Sequence, residues 1–240
     1  LVVLLAHAVP AHALAPLRLA AIHQRWAKPL LTFGGWLTVS NVVGPMIVHL
    51  DRFVVAAVLS STAVAYYAAP FDVVSRLLLI PTALTAALFP ALTKLHTQDA
   101  AAARTLRRSA QHLTFVTVIV VVSVGIVVAR PALTLWLGQD FATQSALAMQ
   151  ILLVGFAFNA MAQIPFTTLH SMGCTRQTAL LHLAELLPFV ALLLLFVRHW
   201  GIEGAAVAWT LRAFLDLAAL TWMARATERQ MHARVAGTFG

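Results

Sequence analysis

Long apolar segments alternate with short polar ones along the whole chain. Each apolar segment holds about 20 residues or more, the length that a helix needs to cross the hydrocarbon core of a bilayer. The pattern predicts an all-α polytopic bundle with complete spanning helices at 33–59, 62–92, 109–129, 141–169, 177–197 and 202–224. We expect the remaining segments to be the remnant of a preceding helix at 1–20, a basic cytoplasmic linker at 21–32 and a basic cytoplasmic tail at 225–240.

Prolines predict where these helices bend or end. The segment 62–92 contains three prolines, and we expect a kink near Pro81, with the freed carbonyl one turn earlier bound by a neighbouring helix or water. Pro131 is expected to end the helix at 109–129 and to open a loop over 131–140. That loop would hold a half-buried Trp136, and a second polar connection is expected over 94–108. Tryptophans are expected mostly near span ends, at Trp36, Trp136, Trp200, Trp209 and Trp222.

Composition places the chain in the membrane class. Hydrophobic residues make up 61% and charged residues 10%, whereas a soluble domain has about 45–50% and about 25%. A soluble fold would expose very large apolar patches, so a disulfide scaffold, a disordered chain and most cytosolic enzymes are excluded. The single cysteine, Cys174, allows no internal disulfide, and we expect it in a cytoplasmic loop. Because residue 1 is Leu within an apolar segment, we expect the chain to begin inside a helix.

Basic residues are distributed unevenly between the two sides of the predicted bundle. The net charge is +8, with 16 Lys and Arg. Alternate connections carry 11 of the 16 on one side, at Arg18, Arg25, Lys28, Lys94, Arg104, Arg107, Arg108, Arg176, Arg225, Arg229 and Arg234. The opposite side has only Arg130 and Arg198, and three arginines fall inside spans. The positive-inside rule therefore predicts that the linker near residue 25 and the C-terminus are cytoplasmic, and it explains the basic charge without nucleic acid.

Seven charged residues stand out inside the predicted spans, where each costs about 2.5–3.5 kcal/mol on insertion scales. They are Asp51, Arg52, Asp72, Arg76, Glu185, Arg212 and Asp216. Asp72 with Arg76 and Arg212 with Asp216 are each spaced four residues apart, so each pair shares a helix face within reach of an ion pair. Glu185 has no basic partner within one turn of its own helix, so it is either protonated or faces a cavity.

Two interpretations of these charges remain open. In the first, the acids and bases neutralise one another within a helix. In the second, the substrate or anion is bound in a water-filled cavity by Arg52, Arg76 and Arg212, because the planar guanidinium can bind two phosphate oxygens. The acids Asp51, Asp72, Glu185 and Asp216 are then ion-pair partners or residues that bind a coupling ion.

The sequence contains no motif that predicts catalysis. It has no HExxH, no GxSxG and no P-loop, and its ten histidines do not have the spacing of metal ligands. We therefore predict no catalytic residue, no metal site and no cofactor, and a protein that is not an enzyme.

The segment 33–95 carries several short motifs in a fixed order. Gly-Trp at 35–36, Ser-Asn at 40–41, Gly-Pro at 44–45 and Leu-Asp-Arg-Phe at 50–53 are followed by Val-Ala-Tyr-Tyr at 64–67, Ala-Pro-Phe-Asp at 69–72 and Leu-Phe-Pro-Ala-Leu at 88–92. This series resembles the seventh and eighth spans of Wzx-type bacterial O-antigen flippases. These belong to the polysaccharide transporter branch of the multidrug/oligosaccharidyl-lipid/polysaccharide exporter superfamily.

The resemblance implies one six-helix C-terminal lobe of a transporter with two lobes around a central cavity. It implies transport of a lipid-diphosphate-linked oligosaccharide, such as an O-antigen unit of lipopolysaccharide, without ATP hydrolysis by the protein. By motif, Asp51 and Arg52 correspond to the family's Asp-Arg, and Asp72 to the acid after its Pro-aromatic pair. The implied partners are the lipid-linked glycan, the bilayer, a missing N-terminal lobe and polysaccharide assembly proteins.

Three other functions are alternatives. A drug or cation antiporter of the same superfamily would favour an acidic cavity, which the intramembrane arginines oppose. An integral-membrane enzyme of glycan assembly would need a large outer loop, whereas the longest one expected here is 130–140. A purely structural bundle is the third.

Overall fold

The computed structural model describes residues 34–36, 38 and 49–237, and all regular elements within them are α-helical. Helix α1 covers 49–58, and five longer helices follow: α2 at Ser61–Arg76, α3 at Leu79–Gln98, α4 at Ala100–Leu137, α5 at Gln139–Ser171 and α6 at Thr175–Gly237. The expected helix remnant at 1–20 and the linker at 21–32 lie outside the described residues, as does most of the first half of the span 33–59.

Among the described residues, four helical stretches are long and apolar enough to cross a membrane. They are Ser61–His96, Ala100–Leu137, Gln139–Ser171 and Thr175–Gln230. The predicted class, an all-α polytopic membrane bundle, is therefore confirmed. The last stretch has 56 residues, a length that could cross a bilayer twice. Its backbone is non-helical at Trp200 and Gly201, so it consists of two helical parts.

The helix that contains Pro81 is interrupted one turn before this proline, as the sequence predicts. Leu77 and Leu78 separate α2 from α3, and their N–H groups donate to carbonyls three residues earlier, at 3.1 Å each. Pro81 has no N–H to donate to the carbonyl of Leu77. That carbonyl accepts instead from the N–H of Ile80 at 3.2 Å. The expectation of a neighbouring helix or water as the donor is wrong, since the local turn supplies it.

Two expected loops are almost entirely helical. The segment 94–108 is interrupted only at Asp99, whose carboxylate caps α4 by accepting from the N–H groups of Ala101 and Ala102. The segment 131–140 is helical on both sides of Gly138. Pro131 lies within α4, and the chain turns at Gly138, whose φ of 92° favours glycine. Trp136 is therefore an exposed helical residue and not a half-buried loop residue.

Helix α6 consists of two arms that pack against each other. The first arm covers 175–199 and the second arm 202–237, and Gly201 between them has a φ of 58°. The arms approach so closely that a Cβ on Gly204 would lie 2.0 Å from the carbonyl oxygen of Phe196. Cys174 lies in the short turn before the first arm, where Gly173 also has a positive φ.

Helix α5 forms the centre of the bundle and contacts α2, α3, α4 and α6. A Cβ on Gly155 of α5 would lie 2.5 Å from the ring of Trp209, so only glycine fits there. The hydroxyl of Thr210 donates to the carbonyl of Ile151 at 3.0 Å and joins the same two helices. Trp209 is buried in the core, which corrects its expected place near a span end.

Candidate functional site: a charged patch and a buried ion cluster

Two arginines and an aspartate form an exposed group on α1 and α2, which we call the charged patch (Arg52, Asp72 and Arg76). The guanidinium of Arg52 on α1 forms an ion pair with the carboxylate of Asp72 on α2. The side chain of Asp72 is 52% exposed and that of Arg52 is 27% exposed. Arg76 is also exposed and lies four residues after Asp72, so the two share a helix face.

The charged patch lies far from the start of an apolar helical stretch, Ser61–His96. Arg76 ends α2, about 24 Å along a helix that begins at Ser61. Exposed charges at such a depth need water or a partner, because hydrocarbon solvates neither. The exposed face of α4 differs completely, since it presents Val120, Val124 and Val127. The charged patch and the valine face are therefore two chemically different surfaces of the bundle.

Asp51, the neighbour of Arg52, is held in a fixed position. Its side chain is fully buried. One carboxylate oxygen accepts from the hydroxyl of Tyr67 at 2.5 Å, and the other accepts from the backbone N–H of Arg52 at 2.7 Å. Both oxygens of Asp51 are therefore occupied, which leaves the Arg52 guanidinium to Asp72.

A cluster of aromatic rings contacts the Arg52 guanidinium. The Cζ atom of Arg52 lies 5.5 Å from the ring centroid of Phe71, within the range of a cation–π interaction. Phe71 is buried and contacts Tyr67 at 5.8 Å and Trp209 at 5.5 Å between ring centroids. The position of the cation thus depends on packed rings of α2 and α6.

Arg76 has no ion pair with any residue of 49–237 that the structure describes. It lies in the last turn of α2, where the helix dipole favours a cation. The helix interruption at 77–78 follows directly. The charged patch therefore contains one paired arginine and one arginine that is available to an anion.

A second group of charges is buried between the two arms of α6, and we call it the buried ion cluster (His182, Glu185, Arg212 and Asp216). Nε of Arg212 lies 3.6 Å from Oε2 of Glu185, and Nε2 of His182 lies 3.7 Å from Oδ1 of Asp216. All four side chains are at most 13% exposed. The two pairs join the first arm of α6 to the second.

Aromatic and hydroxyl groups enclose the buried ion cluster. Arg212 lies 5.9 Å from the ring centroid of Phe189, and His182 stacks on Phe166 of α5. Phe166 also contacts His170, whose Nε2 lies 2.9 Å from the hydroxyl of Thr178. No group of three His, Cys, Asp or Glu side chains in the described part of the chain could hold a metal ion.

The structure pairs the predicted charges across helices and not along them. Asp72 bonds to Arg52 on the neighbouring helix, which does not support the first interpretation, a pair of Asp72 with Arg76. Arg212 pairs with Glu185 on the other arm of α6, and the contact within 4 Å is made to this residue and not to Asp216. The i,i+4 spacing predicts only that two groups share a face, whereas helix packing selects the partner.

The candidate anion-binding residues consequently separate into two sites. Arg52 pairs with Asp72, and Arg76 lies one helical turn after Asp72 on α2, while Arg212 is 8% exposed and enclosed in the buried ion cluster. The hydrogen bond of Tyr67 to Asp51 was not predicted, although Tyr67 belongs to the Val-Ala-Tyr-Tyr motif at 64–67.

A further ion pair was not predicted at all. Arg107 of α4 binds Glu228 of α6 through two contacts, Nε to Oε1 at 3.0 Å and Nη2 to Oε2 at 3.2 Å. The sequence places Arg107 among the cytoplasmic charges and Glu228 in the basic tail. A separation of 121 residues carries no periodic signal, so only the fold reveals this contact.

The fold and the charged patch define a polytopic membrane protein with a polar face in an otherwise apolar helix bundle. Comparison with known proteins gives the family. Residues 4–146 match the model of the family described as "Polysaccharide biosynthesis protein". The chain belongs to this family, and the resemblance to polysaccharide flippases is thereby confirmed.

One curated relative extends the match over most of the chain. It is a protein of Shigella flexneri named "Putative O-antigen transporter", with 35% identity over 209 residues. The match covers 86% of this chain and 50% of the relative. The chain thus spans about half the length of the curated relative that it matches.

Proposed function

We propose that this chain forms one lobe of an inner-membrane flippase for a lipid-diphosphate-linked oligosaccharide, such as an O-antigen or another surface polysaccharide unit. It would act together with the N-terminal lobe of the same polypeptide and alongside polysaccharide assembly proteins. The observation that carries this proposal is the charged patch, in which a partly exposed Arg52 and an exposed Arg76 lie on apolar helices. The family and the transporter relative support it. The two-lobe protein, which joins this chain to that N-terminal lobe, is the form in which transport is measured.

The chemistry of the charged patch suits a diphosphate. Two guanidinium groups beside one carboxylate leave an excess of positive charge, and each guanidinium can bind two phosphate oxygens. The lipid tail would stay in the bilayer against the apolar faces. Rocking of the two lobes would expose the patch to one side of the membrane and then to the other.

The charges of the patch favour this substrate over the alternatives. A cation antiporter needs an acidic cavity, whereas the only acid of the charged patch, Asp72, is already paired with Arg52. A glycan-assembly enzyme needs outer loops that hold a site. In the part of the chain that the structure describes, the turns at 59–60, Gly138 and 200–201 are too short for that.

We propose a cytoplasmic location for the turn that holds Cys174, from the distribution of basic residues. An impermeant maleimide should then label Cys174 in inverted membrane vesicles but not in spheroplasts, once any cysteine outside this chain is replaced. Burial raises the pKa of the Cys174 thiol, so its thiolate is scarce at neutral pH and labelling should accelerate as the pH rises.

Leu135→Cys supplies the matched control for this topology. Leu135 is 89% exposed near the opposite turn, so a cysteine there should react in spheroplasts. Labelling of Cys174 from the periplasmic side would contradict the proposed orientation.

Replacement of Arg52 by alanine should abolish most of the transport. A hydrogen bond to a charged group contributes about 1.5–3 kcal/mol, so loss of this contact should weaken diphosphate binding by roughly 10- to 100-fold. Arg52→Lys should retain part of the activity, because it keeps the charge but loses the planar fork. Complementation of a flippase-null strain, scored as surface polysaccharide per amount of membrane protein, measures the effect.

Arg130→Ala is the control for charge alone, since Arg130 is exposed on α4 outside the charged patch. It should complement as the wild type does. Equal complementation by Arg52→Ala and Arg130→Ala would contradict the proposed site.

A further inference from the structure

We propose that Asp72 is an exchangeable counter-ion of Arg52, a carboxylate of the protein that occupies the anion site whenever the substrate is absent. The diphosphate would displace Asp72 on binding, and Asp72 would rebind the guanidinium as the substrate leaves. This inference rests on the proposed function and deepens it, because it assigns a role in release to a residue that carries the wrong charge for binding the substrate.

The two acids beside Arg52 differ in how firmly they are held. Asp51 is fully buried, and its two oxygens accept hydrogen bonds from Tyr67 and from the backbone of Arg52. Asp72 is 52% exposed, and its carboxylate contacts Arg52 through a single oxygen. Asp51 therefore stays in place, whereas Asp72 can turn towards water at little cost.

The guanidinium remains positioned when Asp72 leaves. Phe71 lies below Arg52 and is fixed between Tyr67 and Trp209 in the core. A cation–π contact does not use the hydrogen-bonding edge of the guanidinium, so that edge passes from Asp72 to the incoming anion. The anion site is thus preorganised, and the carboxylate of Asp72 occupies it until an anion binds.

Exchange with a carboxylate of the protein lowers the apparent affinity for an anion. The apparent dissociation constant rises by the inverse of the fraction of molecules in which Arg52 is free. For a partly exposed ion pair of ordinary strength this factor is about fivefold. A transporter benefits from such a reduction, since a substrate that is bound too tightly is not released.

The test is the binding of inorganic pyrophosphate to the two-lobe protein in lipid nanodiscs, measured by titration calorimetry. Asp72→Asn should bind pyrophosphate about fivefold more tightly than the wild type. Asp72→Glu keeps a competing carboxylate and should bind more weakly than Asp72→Asn. Thermal unfolding of each variant shows whether it is folded, and Asp72→Glu provides the comparison if Asp72→Asn is not.

The Arg52→Ala background separates exchange from a general effect of removing a negative charge. There Asp72→Asn should not change the affinity, because the guanidinium that Asp72 contacts is absent and Arg76 has no ion pair with Asp72. Unchanged affinity of Asp72→Asn in the wild-type background would overturn the proposal, and so would equal tightening in both backgrounds. The proposed function fails by a different result, which is wild-type pyrophosphate binding by Arg52→Ala and by Arg76→Ala.

Discussion

Replacement of Arg212 by methionine should remove most of the folded protein from the membrane. The substitution leaves the buried Glu185 without the cation 3.6 Å away, and it keeps a long apolar side chain against Phe189. Breaking a buried pair by removing one partner costs about 3–5 kcal/mol, a large part of the stability of a typical domain. The amount of detergent-extracted monodisperse protein and its unfolding temperature measure the loss.

Two double variants identify the partner of Arg212. Arg212→Met with Glu185→Met should restore the wild-type amount of protein, because it removes both members of one pair and leaves His182 beside Asp216. Arg212→Met with Asp216→Met should not restore it, because Glu185 then stays buried and unpaired. The reverse order of rescue would contradict the pairing across the two arms of α6.

A neutral version of the Arg52–Asp72 pair should fold normally and lose transport. Arg52→Gln with Asp72→Asn removes both charges but keeps hydrogen-bonding side chains at a partly exposed position, so we expect a change in stability within about 1 kcal/mol. Anion binding requires the guanidinium, and its loss should lower transport by roughly 10- to 100-fold. Surface polysaccharide in a flippase-null strain, normalised to the amount of protein, measures this. Normal surface polysaccharide would show that the pair is only structural.

The helices could be predicted from the sequence because lipid imposes a simple length and polarity rule on each spanning segment. The connections were harder to predict. Pro131 was expected to end a helix, but the turn occurs at Gly138, where the backbone adopts a positive φ. The polar stretch around Asp99 was expected to be a loop, yet the run of alanines after it favours helix and Asp99 caps it. Polarity alone did not distinguish a loop from the end of a helix.

The candidate site was predictable in its residues but not in its contacts. Insertion cost singles out any charge within an apolar segment, so Arg52, Asp72 and Arg76 could be identified from hydropathy. Which charges meet depends on how helices pack, and that information is absent from spacing along one helix. For this reason Arg212 was grouped with the exposed arginines, although the fold buries it between two arms.

The most direct test of the central claim is transport in proteoliposomes that contain the two-lobe protein and a fluorescent lipid-diphosphate-linked oligosaccharide. Loss of outer-leaflet label to an added glycan-cleaving enzyme reports how fast the substrate crosses the bilayer. The account predicts rapid crossing with the wild type and with Arg130→Ala, and crossing close to that of empty liposomes with Arg52→Gln/Asp72→Asn and with Arg76→Gln. Wild-type rates of crossing in both patch variants would contradict the claim that the charged patch binds the diphosphate.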